Sequence, residues 1–456
     1  MDFLVTEFGA VGDGKKIDTA AIQETIDKAH SRGGGRVVLS SGHTFLSGSL
    51  ILRENIELHL EAGAVLQASS DYADYPAALI SSLTAGQVDE YVLPQRAFLA
   101  AFRADNIKIT GAGEINGNAD GFIEVRGEYI HQMRAPLNGK SQYLERPFTI
   151  FLIDCQRVEL LDFTLKDPAF WALRTTGCHD LLIDSIKILT DLMVPNADGI
   201  DIDRCQRVVI QNCELVTADD CISLKSCSGT AQYGDVSEIE IRNCDMISTS
   251  GAITLGTESV GDIKNVLVTD CTVRKSHRGF AVRAREGGEI SNVTFRNSSV
   301  ETRTFSPAWW GHGEALHVTA FAWNEPENLQ DGNPERLLQG RVSNIRFENL
   351  EVDTEAGVLV WAQDERLASN ISFTDVSIRM SKKSKWPARI DLRPNDLTPV
   401  IERKANAFEL ANCRNLAITN SKVIWDPATR QEYDDLIWQQ NLHNLKVSNL
   451  HEGLGQ

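Results

Sequence analysis

The sequence predicts an all-β protein: a single-domain, right-handed parallel β-helix with one helix capping its N-terminal end. Three observations predict this. First, a short phrase recurs in which a polar residue precedes alternating apolar positions, as in "QRVELLDFTL" from Gln156, "HDLLIDSIKI" from His179 and "QRVVIQNCEL" from Gln206. Alternation of period two marks strands with one buried face. Second, several steps between phrases are about 23–31 residues, in the range of repeats that stack as solenoids. Third, the cysteines keep the same step: the intervals Cys155–Cys178, Cys178–Cys205, Cys221–Cys244 and Cys244–Cys271 are 23, 27, 23 and 27 residues. Residues one coil apart stack, so small apolar thiols form interior ladders.

The N-terminal helix is predicted from "DTAAIQETIDKAHSRGGG", which puts Ala21, Ile22, Ile26 and Ala29 on one face. Asp18 or Thr19 caps its start, and Gly33 to Gly35 end it. A helix here covers the otherwise open end of the core. The coils then run from "DNIKITGAGEI" at Asp105 through "SEIEIRNCDM" at Ser237, "SNIRFENLEV" at Ser343 and "HNLKVSNLHE" at His443. Each coil is expected to supply about three short strands. Asn212, Asn243, Asn297 and Asn349 recur at turns, where Asn tolerates left-handed backbone and hydrogen-bonds along a stack. Long inserts near 71–98, 119–147 and 303–340 interrupt the rhythm and are expected to wall one functional face. All of residues 1–456 is read as one domain.

Composition narrows the function. Asp and Glu outnumber Lys and Arg, 63 to 45, for a net charge of −18. A nucleic-acid partner is not expected, because such proteins carry a basic footprint. No 18-residue apolar stretch occurs, so no membrane partner is expected. The N-terminus lacks the order of a signal peptide, and the expectation is a cytoplasmic protein, or a secreted or periplasmic one if a signal was removed. Nine cysteines without a CxxC pair predict neither a zinc site nor a disulfide framework.

The carboxylates of "NADGIDIDRCQRVVIQNCELVTADDCISLKS" carry the functional signal. Asp198 and Asp219 are 21 residues apart, nearly one coil, which predicts neighbouring rungs. Asp219 and Asp220 are adjacent, and both face outward only if the backbone bends there; otherwise one of them satisfies a turn. Asp201, Asp203 and Glu214 read as rim or turn residues.

The motifs "NADGIDI" and "ADDCISLKS", with "FGAVGDGKKIDTAAIQETID", "LHLEAGAVLQAS" and "ITGAGEINGNA" before them, resemble glycoside hydrolase family 28, the polygalacturonase-like pectin-degrading family. The resemblance covers most of the chain. It implies an inverting glycoside hydrolase that needs no metal or other cofactor, with a carbohydrate as partner. Asp219 matches the general acid, and Asp198 and Asp220 match the pair that holds and deprotonates the attacking water. An inverting pair leaves room for that water, roughly 6.5–9.5 Å between carboxyls.

Two landmarks depart from the family pattern. Gly251 in "TSGAITLGTES" falls where the family's Gly-His-Gly histidine is expected. In "RGFAVRAREGG", Ala281 replaces the arginine of Arg-Ile-Lys and Arg283 the lysine. Arg283 or Arg285 can still fork onto a substrate carboxylate, or can form a surface ion pair. Lys225 faces the cleft or pairs with a neighbouring carboxylate. His277 and Arg278 are candidates to line the cleft. In "WWGHGEALH", Trp309 and Trp310 stack on sugar or pack inside, Glu314 is a further binding candidate, and His312 and His317 read as loop structure. The expected substrate is a rhamnogalacturonan-like or modified galacturonan rather than plain homogalacturonan, cleaved from an end. The alternatives are a polysaccharide lyase on the same scaffold and a non-catalytic glycan-binding β-helix.

Overall fold

The computed structural model describes residues 1–86, 95–125, 134–136, 146–322, 339–395 and 400–455. They fall into two compact units. One is Met1–Asp219 with Gln232–Gly234, and the other is Asp220–Ala231 with Asp235–Gln456.

In the first unit each coil supplies three strands, and every stack between coils is parallel. One stack runs Ala97–Phe102, Phe148–Ile153, Leu173–Thr176 and Ile200–Asp203. A second joins Lys108–Thr110, Gln156–Leu161, His179–Asp184 and Gln206–Gln211, so the recurring phrases lie directly over one another. A third joins Glu114–Asn116, Thr164–Lys166, Lys187–Leu189 and Glu214–Thr217. Register is set by the apolar alternation: Val158, Leu181 and Val208 are aligned and buried. A slip of one residue would turn that column to solvent.

The second residue of each phrase bends the start of its strand with positive φ. Arg157, Asp180 and Arg207 take φ of 57°, 58° and 55°. The four asparagines anticipated at turns also take left-handed φ, and Asn349 Nδ2 donates to Asn297 Oδ1 at 3.0 Å. The thiol ladder is present: Cys155 N–H donates to Cys178 Sγ at 3.5 Å, and Cys178 N–H to Cys205 Sγ at 3.3 Å. Burial pushes the Cys178 thiol well above its ordinary pKa, which keeps it neutral.

The helix Thr19–Ser31 buries Ile22, Ile26 and Ala29 as expected, with Thr25 in place of Ala21. Thr25 is accommodated because its hydroxyl donates to Ala21 O at 2.7 Å. Asp18 sits at the cap position, but its carboxylate accepts instead from Val11 N–H and Gly12 N–H at 2.8 and 2.9 Å. It thereby ties the helix start to the preceding loop.

The second unit repeats the pattern. One stack runs Ile222–Ser226, Gly251–Ser259, Arg278–Ala284, Leu316–Ala320 and Val358–Ala362. Its core contains a column of rings. Phe280, Phe295, Phe347 and Phe373 stack with successive centroid distances of 4.8, 5.2 and 5.0 Å. The span 303–340 is not one uninterrupted insert, because Leu316–Ala320 is a full rung strand within it. Residues 87–94, 126–133, 137–145 and 323–338, within the three anticipated inserts, lie outside the described residues. Among the described residues no helix is long and apolar enough to cross a membrane.

Candidate active site

In the first unit, a turn leads from Lys187–Leu189 into Ile200–Asp203 and carries Asp198. Arg146 pins this turn. It is buried, and its guanidinium donates to Ala169 O at 2.9 Å, Pro195 O at 2.6 Å and Asn196 Oδ1 at 3.2 Å. Asn196 bends the chain with φ of 51°. Ala197 and Ala218 are buried in one apolar cluster with Ala119, Ile123 and Val194. Asp198 follows the first alanine and Asp219 the second. Asp219 N–H also donates to Ala197 O at 3.4 Å. The two aspartates therefore leave the same cluster on successive rungs, as the 21-residue gap predicts. The backbone bends at Ala218 and Asp219, and Thr217 Oγ donates to Asp219 O at 2.5 Å. That bend frees Asp219 and Asp220 from the alternation of a straight strand.

Asp201 and Asp203 are not rim residues. Both are wholly buried on the strand Ile200–Asp203, whose isoleucines take the core face. Arg174, one rung earlier, donates to Asp203 at 3.0 Å, and Thr176 Oγ donates to it at 3.2 Å. Arg174 in turn lies over the rings of Phe151 and Trp171, at 4.9 and 5.0 Å. A buried ion pair held on both sides in this way is structural. Glu214 does stay partly exposed, paired with Lys187 at 2.7 Å.

In the second unit, Asp220 precedes the strand Ile222–Ser226. Ser250 Oγ donates to Asp220 Oδ1 at 3.2 Å, and Arg283 Nη2 lies 3.8 Å from Oδ2. Gly251 is dictated by this arrangement: a Cβ there would sit 2.6 Å from Asp220 Oδ1 and 2.6 Å from Thr254 Oγ. A histidine at this position has no room. Gly251→Ala is expected to displace the Asp220 carboxylate and lower kcat about a hundredfold, because a misplacement of that size costs about that much. Steady-state kinetics beside an unchanged thermal melt would check it.

Lys225 pairs with a neighbouring carboxylate, Glu258, at 3.1 Å. Burial would push the Glu258 carboxyl up, but Lys225 and Arg283 hold it below its ordinary value. Arg283 and Arg285 are buried, so neither forms a surface ion pair. Arg285 donates to Ala284 O at 3.1 Å and Thr319 Oγ at 2.8 Å. Ala281 aligns with Thr254 on one side and His317 on the other. Burial and the three nearby arginines, Arg278, Arg283 and Arg285, hold the His317 imidazole far below its ordinary pKa, hence neutral.

Trp309 and Trp310 are half-buried and stack on each other at 5.0 Å. Their loop is fixed from below by Asp391. Asp391 accepts from Gly311 N–H at 2.7 Å and from Arg393, and it faces His312 Nδ1 at 3.2 Å. Arg393 also donates to Trp309 O at 2.7 Å. Glu314 is wholly buried, accepts from His312 N–H at 2.9 Å, and has its pKa raised by burial. No cluster of the kind that holds a metal ion occurs among the described residues. Arg146, Ser250 and Asp391 were not singled out by the sequence; each acts through contacts 23 to 80 residues away.

His277 is wholly buried, with Nδ1 accepting from Phe305 N–H at 3.0 Å. It therefore anchors the loop rather than lining a cleft. Burial pushes its pKa from 6.5 down to about 3. Between those values the unfolded chain binds a proton that the folded chain does not. This contribution to stability is complete above pH 6.5 and is lost as pH falls towards 3. His277→Asn, which keeps an acceptor, is expected to flatten the fall of stability by about 1.4 kcal/mol per pH unit within that window. Denaturant melts at a series of pH values would read it.

Turns that present paired aspartates from a parallel β-helix define a class of scaffold seen in glycoside hydrolases. The chain belongs to the glycosyl hydrolases family 28, whose model matches residues 66–307, more than half of it. A second model, described as rhamnogalacturonase A/epimerase, pectate lyase-like, matches residues 3–125. The chain is 30% identical over 264 residues to a probable polygalacturonase of Vitis vinifera, covering 56% of this chain and 51% of that one. It is 24% identical over 259 residues to the exo-poly-alpha-D-galacturonosidase of Dickeya chrysanthemi, covering 49% and 42%. It thus spans about half the length of these relatives. Its fold is similar to that of a family 28 exopolygalacturonase from Yersinia enterocolitica, with a TM-score of 0.71 and 19% identity over 99% of this chain and 78% of that one.

Proposed function

We propose that the protein is an inverting glycoside hydrolase that removes sugar from an end of a uronate-bearing pectic chain. The observation that carries this reading is that Asp198 and Asp219 leave one apolar cluster on successive rungs, with Asp220 next in the chain. In the proposed reaction Asp219 donates its proton to the glycosidic oxygen as the bond from the anomeric carbon breaks. A water held by Asp198 and Asp220 attacks that carbon from the opposite face and gives up a proton to their carboxylates. The product has inverted configuration, and solvent exchange resets the acid and base.

The burial of each aspartate supports action from an end: Asp198, Asp219 and Asp220 retain only 4%, 7% and 5% of their surface. The Dickeya relative's name, an exo-acting galacturonosidase, supports the same reading. The substrate proposed is a rhamnogalacturonan-like or modified galacturonan. Ala281 supports this, because it removes one expected cation while Arg283 remains beside Asp220.

The test is digestion of homogalacturonan, xylogalacturonan and rhamnogalacturonan oligosaccharides, with products followed by mass. The expected result is release of one terminal unit at a time, fastest on a modified chain. A ladder of mid-length products would overturn the end-acting part. Product absorbing as an unsaturated uronate would favour a lyase.

A further inference from the structure

Beside Asp220, a hydroxyl and an indole form a short relay that the reaction scheme does not use. Trp309 Nε1 donates to Ser250 Oγ at 2.9 Å, and Ser250 Oγ lies 3.2 Å from Asp220 Oδ1. An indole N–H can only donate, so Ser250 must accept from it. Ser250's single hydroxyl proton is then directed to the carboxylate. Ser250 is itself rigid: its N–H donates to Ser248 Oγ at 2.8 Å, and its carbonyl accepts from Arg278 N–H at 2.8 Å. Trp309 is equally fixed, since Arg393 holds its carbonyl and Asp391 holds the backbone two residues on. The neighbouring position is Gly251, which leaves the space that Asp220 Oδ1 occupies.

We infer that Ser250, oriented by Trp309, is a positioning residue that fixes the Asp220 carboxylate in its water-holding orientation. This rests on the reading of Asp220 as one of the water-activating pair. The hydroxyl holds one carboxylate oxygen, and Arg283 lies 3.8 Å from the other. The site thereby acquires a fixed donor on the residue next to the missing histidine. Other charged groups around this corner are Lys225 with Glu258, Arg278 on the strand bearing Arg283, and Asp219 as chain neighbour.

The test compares Ser250→Ala, Ser250→Thr, Trp309→Phe and Asp220→Asn on one uronate oligosaccharide by steady-state kinetics. A misplaced water-holding carboxylate slows the chemical step and leaves substrate binding in place. Ser250→Ala is therefore expected to lower kcat about tenfold with KM little changed. Ser250→Thr should restore kcat. Trp309→Phe keeps a ring but removes the N–H, and should lower kcat by less. If Asp220→Asn is inactive and kcat is unchanged for both Ser250→Ala and Trp309→Phe, the inference is overturned while the function stands. If Asp220→Asn keeps full activity, the reading of Asp220 fails and takes the inference with it. Should Ser250→Ala fail to fold, Trp309→Phe and Ser250→Thr decide the matter by the same readout.

Discussion

Asp219→Asn is expected to lower kcat roughly a thousandfold or more on the true substrate, with little change in KM or thermal stability. A positioned general acid is worth about 10² to 10⁴ in rate. Asparagine keeps the shape of the side chain, and two backbone contacts anchor this turn: Asp219 N–H to Ala197 O and Thr217 Oγ to Asp219 O. Loss of the proton therefore separates from loss of the fold. A substrate whose leaving group needs no protonation, such as an activated aryl glycoside, should recover much of the rate. Equal loss on both substrates would mean that Asp219 holds the sugar rather than protonating it.

Arg283→Gln should produce the second largest effect, a fall in kcat/KM of about a hundredfold carried mainly by KM. Arg283 is buried and lies 3.8 Å from Asp220, beyond direct hydrogen-bond distance. A guanidinium in such a place is worth several kcal/mol to an anion it meets, because little water competes. The loss should be much smaller on a methyl-esterified substrate, which offers no carboxylate. Comparing the two substrates by steady-state kinetics checks the assignment. Arg283→Lys should recover only part of the loss, since an ammonium cannot fork onto a carboxylate.

Much of this architecture was legible in the sequence because a parallel β-helix writes its coils directly into the chain. Period-two phrases at a regular step placed the strands, and the cysteine intervals placed the ladder of Cys155, Cys178 and Cys205. The Asp198–Asp219 gap placed both residues on successive rungs for the same reason. What the sequence concealed depends on partners far apart in the chain. Asp203 looked like a rim residue because its buried partner, Arg174, lies 29 residues earlier. The signal was present, since Arg174 stands one coil before Asp201 in register. Asp18 satisfies a preceding loop instead of its own helix, a choice that local capping patterns do not encode. His277 and Glu314 looked available for binding but are wholly buried under the Trp309–Trp310 loop region. The Ser250–Trp309 contact spans 59 residues and joins a rung to a loop, so no repeat arithmetic reveals it.

Inversion at the anomeric carbon by attack of water is the central step of the proposed reaction. Proton NMR of the first product formed, recorded before mutarotation, tests that most directly on a uronate oligosaccharide. The expected spectrum shows the reducing-end anomer opposite in configuration to the bond cleaved, and no such signal with Asp219→Asn. A product that retains the configuration, or one carrying a new carbon–carbon double bond, would contradict it.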